Sequence, residues 1–469
     1  MAGRTKRRIF RRLVAGCACL WLSLVPMVFR VGAAVTNRLA WDTQQNRVDA
    51  DVQGWSLDTV LREIAAQTGW RVFVEPGLSG RVSTRFQGLP PGEALRRLLD
   101  RLNFALLPRS NGPPQLYVFR TSLQEATQPV TEAGRAPAGT AETNRLRNEW
   151  IVRVKPGSEI EALARALGAE VVGRLEELHA YRLRFASAEA AEAARQRLLE
   201  DPAVTDVEAN YAIGRPGEVQ GLLGTSVGWP RIRARPPDPG GPVVVALLDT
   251  AVQSLPGSLG EFVLAPIRVV PGGQVPADVP THGTAMAQTV LRGVEMVSGA
   301  DLKVRLLPVD VYGDQPATST FDLAVGVYRA VHEGGAHILN LSLGSEADNR
   351  FLHALLQQVS ASGVLVLAAA GNEPVTTPVF PAAYPEVMAV TAGDRTGRIA
   401  PYANRGDFVD LIAPGVSVVY HQGQPFLVSG TSAATAFASG LAAGLAETRG
   451  RNPDEIRSAL RVILSTPKP

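Results

Sequence analysis

The chain has 469 residues and a mass of 49.9 kDa, enough polypeptide for about three domains. Its 45% hydrophobic, 19% charged and 6% aromatic content is globular and excludes intrinsic disorder, collagen and coiled coil. Against 44 acidic residues stand 47 basic ones, but seven of these fall in residues 1–33, where there is no acid; the remainder has no cationic surplus for nucleic acid.

The first segment begins with Arg4, Lys6, Arg7, Arg8, Arg11 and Arg12, continues with an apolar stretch over 13–29, and ends in Val31-Gly32-Ala33. A basic start, an apolar middle and a small-x-small ending predict a signal peptide over 1–33 and export to the periplasm or beyond. An uncleaved inner-membrane anchor is the alternative, since the stretch approaches the ~17 residues a span needs, although Pro26 interrupts it. Val14-Ala15-Gly16-Cys17 imitates a lipoprotein box, but the apolar run follows Cys17 instead of preceding it. Cys17 and Cys19 are the only 2 cysteines, so the mature chain has no disulfide, thiol nucleophile or cysteine metal site. Packing alone must hold it.

Residues 47–120 read as a small α+β domain: a strand over 48–55, a helix over 57–67, strands over 70–75 and 81–87, a helix over 92–102, and strands over 104–107 and 115–119. Leu57, Val60, Leu61 and Ile64 recur at helical spacing, as do Ala94, Leu95, Leu98 and Leu99. The string SLDTVLREIAAQTGWRVFVEPGLSGRVSTRFQGLPPGEALRRLLDRLNFALL resembles the secretin and TonB short N-terminal domain. That resemblance implies an interaction module with a partner in a Gram-negative-type envelope; a generic α+β domain with no particular partner is the alternative.

Residues 121–147 are rich in Ala, Thr, Pro and Gly without apolar period, and read as a linker. A second compact segment follows over 148–214, with strands over 150–154, 170–175 and 181–185, helices over 160–167 and 188–199, and an extended end over 205–210. Ser158 and Glu161 form a capping-box pattern at its first helix, and the order is β-α-β-β-α-β. Residues 215–241, rich in Pro and Gly, form a second linker.

From residue 242 to 469, apolar runs over 243–248, 302–307, 338–343 and 364–369 alternate with helical patterns. This predicts an α/β unit, a mostly parallel sheet flanked by helices, with functional groups beyond the carboxyl ends of the strands. Asp249, His282, Asn372 and Ser432 fall there. Singly each reads as a turn, cap or core residue; jointly, in the order Asp, His, Asn, Ser within one segment and each at a strand–helix junction, those readings are poor. Asn452-Pro453-Asp454-Glu455 predicts a closing surface helix.

DTAV, HGTAMA, LNLSLG, AAAGN, IAPG and SGTSAATA resemble the motifs of the subtilases, the subtilisin-like serine proteases, over essentially all of 242–469. The resemblance implies an endopeptidase acting on proteins or peptides through an acyl-enzyme. Ser432 would be the nucleophile, His282 the base and Asp249 its orienting partner, with Asn372 and the Ser432 N–H receiving the oxyanion. It also implies that Ser342, Leu343 and Gly344 pair with substrate and that Ala369, Ala370 and Gly371 wall the specificity pocket. Ala251 stands where the family usually has Gly, and Ala285 where it often has a second His; neither carries proton chemistry. His282 disfavours the sedolisin branch. No cofactor is implied; the family often binds structural calcium, but no dense carboxylate loop offers a site.

RNEWIVRVKPGSEIEALARALGAEV…VTDVEANYAI resembles the propeptide preceding many subtilase domains, which implies a zymogen inhibited by its own propeptide and cut within 213–241. A permanent binding module is the alternative for this segment. For the whole chain the rivals are a regulatory protease with one envelope partner as substrate and a non-catalytic binding protein on the protease scaffold. An imidazole base accepts a proton only when neutral, and ordinary histidine titrates near about 6.5. Peptidase activity is therefore expected to decline from pH 8 to pH 5; a profile flat over that range removes the histidine from the reaction.

Overall fold

A computed structural model describes residues 37–43, 45–100, 102–107, 113–121, 126–130, 144–217, 220–221, 231–236, 240–272, 275–394 and 396–464. The predicted signal peptide, both cysteines and much of the two predicted linkers lie outside these residues. No helix among the described residues is long and apolar enough to cross a membrane.

The N-terminal unit contains β1 (Arg38–Asp42), β2 (Arg47–Ser56), α1 (Leu57–Thr68), β3 (Arg71–Val74), β4 (Arg81–Leu89), α2 (Pro91–Leu99), β5 (Asn103–Leu107), β6 (Gln115–Phe119) and β7 (Gln128–Pro129). The strands form two sheets, β1-β2-β4 and β5-β6-β3-β7. α1 starts where the Ser56 hydroxyl accepts the Thr59 N–H at 3.0 Å, and stops at Gly69, whose φ of 68° suits a residue without Cβ. Its Leu57, Val60, Leu61 and Ile64 enter a core shared with α2 and both sheets. Two strands were not expected. β1 alternates only Leu39 and Trp41 inward, too short a signal beside the leader, and β7 pairs with β3 inside the stretch read as a linker.

The second unit comprises β8 (Arg145–Val154), α3 (Ile160–Leu167), β9 (Ala169–Leu175), β10 (Ala180–Phe185), α4 (Ala188–Glu200) and β11 (Val204–Gly214). One local expectation fails. Glu159, not Ser158, precedes α3 and gives no side-chain cap, while the Ser158 N–H closes a turn on the Lys155 carbonyl. The Glu161 carboxylate goes to Arg174 at 2.5 Å, so the capping box is not built.

In the last unit the elements are β12 (Gln220–Gly221), β13 (Arg233–Ala234), β14 (Val244–Asp249), β15 (Ile267–Arg268), α5 (His282–Glu295), β16 (Asp301–Leu302), β17 (Arg305–Asp310), β18 (Ala317–Ser319), α6 (Thr320–His332), β19 (Ile338–Leu341), α7 (Arg350–Ala361), β20 (Leu365–Ala369), β21 (Met388–Gly393), β22 (Leu411–Pro414), β23 (Val416–His421), β24 (Gln424–Ser429), α8 (Thr431–Arg449) and α9 (Pro453–Ile463). The strand order β15-β17-β14-β19-β20-β21-β22 is parallel at every neighbouring pair. Continuous apolar strands suit a sheet covered on both faces. One face packs on α5 and α8, the other on α6 and α7. The predicted closing helix is α9, capped by the Asn452 side chain on the Asp454 N–H at 3.0 Å.

α5 and α8 touch through their backbones. A Cβ on Gly440 would lie 2.0 Å from the Val290 carbonyl oxygen, and one on Gly293 would lie 2.2 Å from that of Phe437. Alanine favours a helix over glycine by about 1 kcal/mol, but here the backbone it would strike cannot yield. Gly440→Ala is expected to destabilise the fold by roughly 2 kcal/mol, the usual cost of overpacking. Urea denaturation in a Ser432→Ala background, where self-digestion does not interfere, measures it; an unchanged midpoint contradicts this account of the packing.

Candidate active site

Asp249 ends β14, at the carboxyl edge of the sheet, and is fully closed to solvent. Both carboxylate oxygens lie 2.8 Å from His282 Nδ1, and Oδ1 also accepts the Thr250 N–H at 2.6 Å. His282 is the first residue of α5. Thr281 caps the helix by accepting the Thr284 N–H at 3.1 Å and donates to the Ala251 carbonyl at 2.6 Å, which ties the helix start to the loop after Asp249. Gly283 must lack a side chain, because a Cβ would sit 2.1 Å from the Thr250 carbonyl oxygen. Ala251 takes part through its carbonyl and has no positive φ, so alanine fits where glycine is usual. Ala285 is buried inside α5.

Ser432 is the second residue of α8. The N-cap is Gly430, with φ of 141° and Asn372 Nδ2 only 3.1 Å from where its Cβ would be, so the serine is not serving as a cap. Its half-buried hydroxyl donates to the Ser342 carbonyl at 3.4 Å, and the Ser342 hydroxyl donates back to the Ser432 carbonyl at 3.4 Å. Bonds this long hold a hydroxyl loosely. Asn340 Nδ2 steadies Ser342 from behind at 2.9 Å.

Asn372 Oδ1 accepts from the Thr431 N–H at 2.8 Å and the Thr431 hydroxyl at 3.1 Å. A backbone N–H fixes which end of the amide is oxygen, so the NH₂ end faces the other way as a donor. Gly371, at φ 111°, gives its N–H to the Thr431 hydroxyl at 3.2 Å and packs on Asn404. Asn404 in turn accepts the Glu373 N–H at 2.7 Å and donates its own N–H to the Gly371 carbonyl at 3.0 Å. The structure thus joins Asp249 to His282, Ser342 to Ser432, and Asn372 to the start of α8. Ser342, Leu343, Ala369 and Ala370 are buried, Ala370 completely, while Gly344 and Gly371 are partly open. No described strand pairs with 342–344. Thr431 and Asn404 were not singled out from the sequence: Thr431 lies unremarked inside SGTSAATA, and Asn404 carries no local signal. Among the described residues no group of three His, Cys, Asp or Glu side chains offers a metal site.

The second unit reaches this region through β11. Ala212, Ile213 and Gly214 pair antiparallel with Ser319, Thr318 and Ala317, and the Arg215 N–H continues the ladder to the Pro316 carbonyl at 2.8 Å. The Tyr312 hydroxyl, whose pKa is pushed well up by burial and by the charge of Asp249, stays neutral and donates to the Gly214 carbonyl at 3.1 Å. Glu208 Oε2 accepts the Phe351 N–H and Asn210 Oδ1 the Phe321 N–H, each at 3.2 Å, so β11 sets polar groups on the first turns of α7 and α6. Gly173 allows the close fit, since a Cβ there would lie 2.8 Å from the Phe321 ring. Gln220 and Gly221, five and six residues past Arg215, pair with Leu427 and Phe426 of the strand that leads to Ser432.

Residues 240–462 match the Subtilase family, and residues 133–210 match the fervidolysin N-terminal prodomain. The thermophilic serine proteinase of Bacillus sp. (strain AK1) is 34% identical over 46% of this chain, which spans 55% of that protein. Thermitase of Thermoactinomyces vulgaris is 31% identical over 46% of this chain and 78% of its own length. The crystal structure of fervidolysin from Fervidobacterium pennivorans, at 20% identity and a TM-score of 0.53 over 66% of this chain and 56% of that one, shares the fold. The chain belongs to the subtilase family of serine proteases and carries a fervidolysin-like prodomain ahead of its subtilisin-like unit.

Proposed function

We propose that the chain is the uncut precursor of an exported endopeptidase in which Ser432 attacks the scissile carbonyl. His282 removes the serine proton and delivers it to the leaving amine, and Asp249 holds the imidazole tautomer and offsets its positive charge. Water then attacks the acyl-enzyme with the same histidine as base. The observation that carries this reading is the closed carboxylate–imidazole pair at the head of α5, a helix packed backbone to backbone on the one that presents Ser432 near its start. The Asn372 NH₂ and the Ser432 N–H supply donors for the oxyanion, and loss of one such donor typically costs ~10²–10³ in turnover. Substrates are proteins or peptides, lying along Ser342, Leu343 and Gly344 with a side chain beside Ala369, Ala370 and Gly371.

In this reading residues 148–214 are the inhibitor and the catalytic unit spans 242–469, while the connecting stretches 121–147 and 215–241 also lend β7, β12 and β13 to the neighbouring units. The cut falls within 213–241, and the pairing of 212–215 with one edge and of 220–221 with another supports a bond between Arg215 and Gln220. Residues 47–120, resembling the secretin and TonB short N-terminal domain, are an envelope interaction module, and residues 1–33 direct the chain to the periplasm or the exterior.

Mass spectrometry of wild-type and Ser432→Ala protein tests the core of this. The wild type is expected to divide between Arg215 and Gln220 and to react with a fluorophosphonate, whereas the variant stays joined and unlabelled; equal labelling of both removes Ser432 as nucleophile. Thr431→Val deletes a hydroxyl that holds both Asn372 and Gly371. It is expected to lower kcat roughly tenfold, the worth of about one hydrogen bond to a strained group, with KM little changed. Steady-state kinetics on a peptide anilide reads both constants, and a change confined to KM contradicts a role through Asn372.

A further inference from the structure

Arg71, on β3 of the N-terminal unit, forks onto the Glu373 carboxylate, 302 residues away and next in sequence to Asn372. Two residues on, Val375 is 5% exposed because Phe73, Tyr117 and Ala126 of the N-terminal unit enclose it, the two rings stacking at 5.2 Å. A bidentate ion pair beside a dry apolar contact is a specific interface, not a chance collision of units. It also grips the loop that bears the oxyanion donor: Glu373 is held by Asn404, Asn404 by Gly371, and Gly371 and Asn372 by Thr431. The prodomain meets the catalytic unit elsewhere, at β18 and the starts of α6 and α7.

We propose that the N-terminal unit is a second grip on the catalytic unit, so that it and the prodomain form one bivalent inhibitor that stays bound after the connecting peptide is cut. This rests on the precursor reading above. Two contacts on one chain reinforce each other, because release of either leaves the other to hold it nearby; such linkage raises avidity by 10²–10⁴. The docking partner is an acidic residue and a small apolar side chain on the chain's own oxyanion loop.

Two measurements on the full chain test it. In a Ser432→Ala background, which cannot cut itself, amide hydrogen exchange over 371–376 is expected to accelerate in Arg71→Glu and to return in the charge swap Arg71→Glu with Glu373→Arg. In the active chain, gel filtration after self-cleavage is expected to show the wild-type N-terminal fragment eluting with the protease. In Arg71→Glu the fragment separates and the lag before peptidase activity shortens about tenfold or more. The swap controls for misfolding. Exchange that does not respond to Arg71→Glu, or a variant fragment retained as firmly as the wild type, overturns the proposal. An exchange difference in the Ser432→Ala background, together with a wild-type chain that never cuts itself, establishes the docking contact and overturns the precursor reading instead.

Discussion

Everything the site does depends on how closely α5 and α8 approach. At Gly293 and Gly440 neither helix carries a side chain, and each glycine position is filled by the other helix's backbone. Contact at that distance fixes the spacing and crossing of the pair, because a packed interior has few alternative arrangements. One helix begins with His282 and the other presents Ser432 one residue after its start, so their register determines where imidazole and hydroxyl stand. The small residues of α8, buried almost throughout, serve the same end: they let the helix lie under the sheet without pushing His282 away.

Much of this was legible in the sequence because the relevant signals are local. A continuous apolar run ending in Asp249 reads as a buried strand with a polar tip, and Gly-bounded junctions at His282 and Ser432 read as strand–helix turns. The parallel sheet follows from the apolar runs. What escaped depends on distant partners or on too few residues. Ser158 satisfies a capping pattern, yet the chain turns at Lys155 and its capping partner Glu161 goes to Arg174. β1 has two inward side chains, and β7 has two residues in all. Asn404 and Glu373 matter through contacts made across the fold, and nothing near Arg71 in sequence announces the carboxylate it meets.

β11 shows how a segment that looks like an ordinary polar edge acquires a role by position. Glu208 and Asn210 alternate with Val207 and Ala209, so their side chains fall on one face of the strand. That face meets the first turns of α6 and α7, where backbone N–H groups lack helical partners. Burial, and then the nearby Asp206 carboxylate, push the Glu208 carboxyl upward, while the Phe351 N–H and then Arg350 oppose them. The prodomain thus uses the unsatisfied ends of two helices as its footing, and its Ile151, Leu175, Ala180 and Ile213 continue the core beneath.

The charged side chains of this molecule differ in their access to water. The Asp249 carboxylate, with 0% of its surface open, lies beyond the reach of dissolved ions, whereas Arg350 beside Asp206 is 75% open and Arg71 beside Glu373 is 37% open. Mobile ions weaken attraction between open charges and leave enclosed ones nearly untouched. Brine therefore loosens the open Arg350 and Arg71 contacts more than it touches Asp249, while the enclosed pair of Arg182 with Asp322, 15% open on each side, keeps the prodomain seated on the catalytic unit in the same salt.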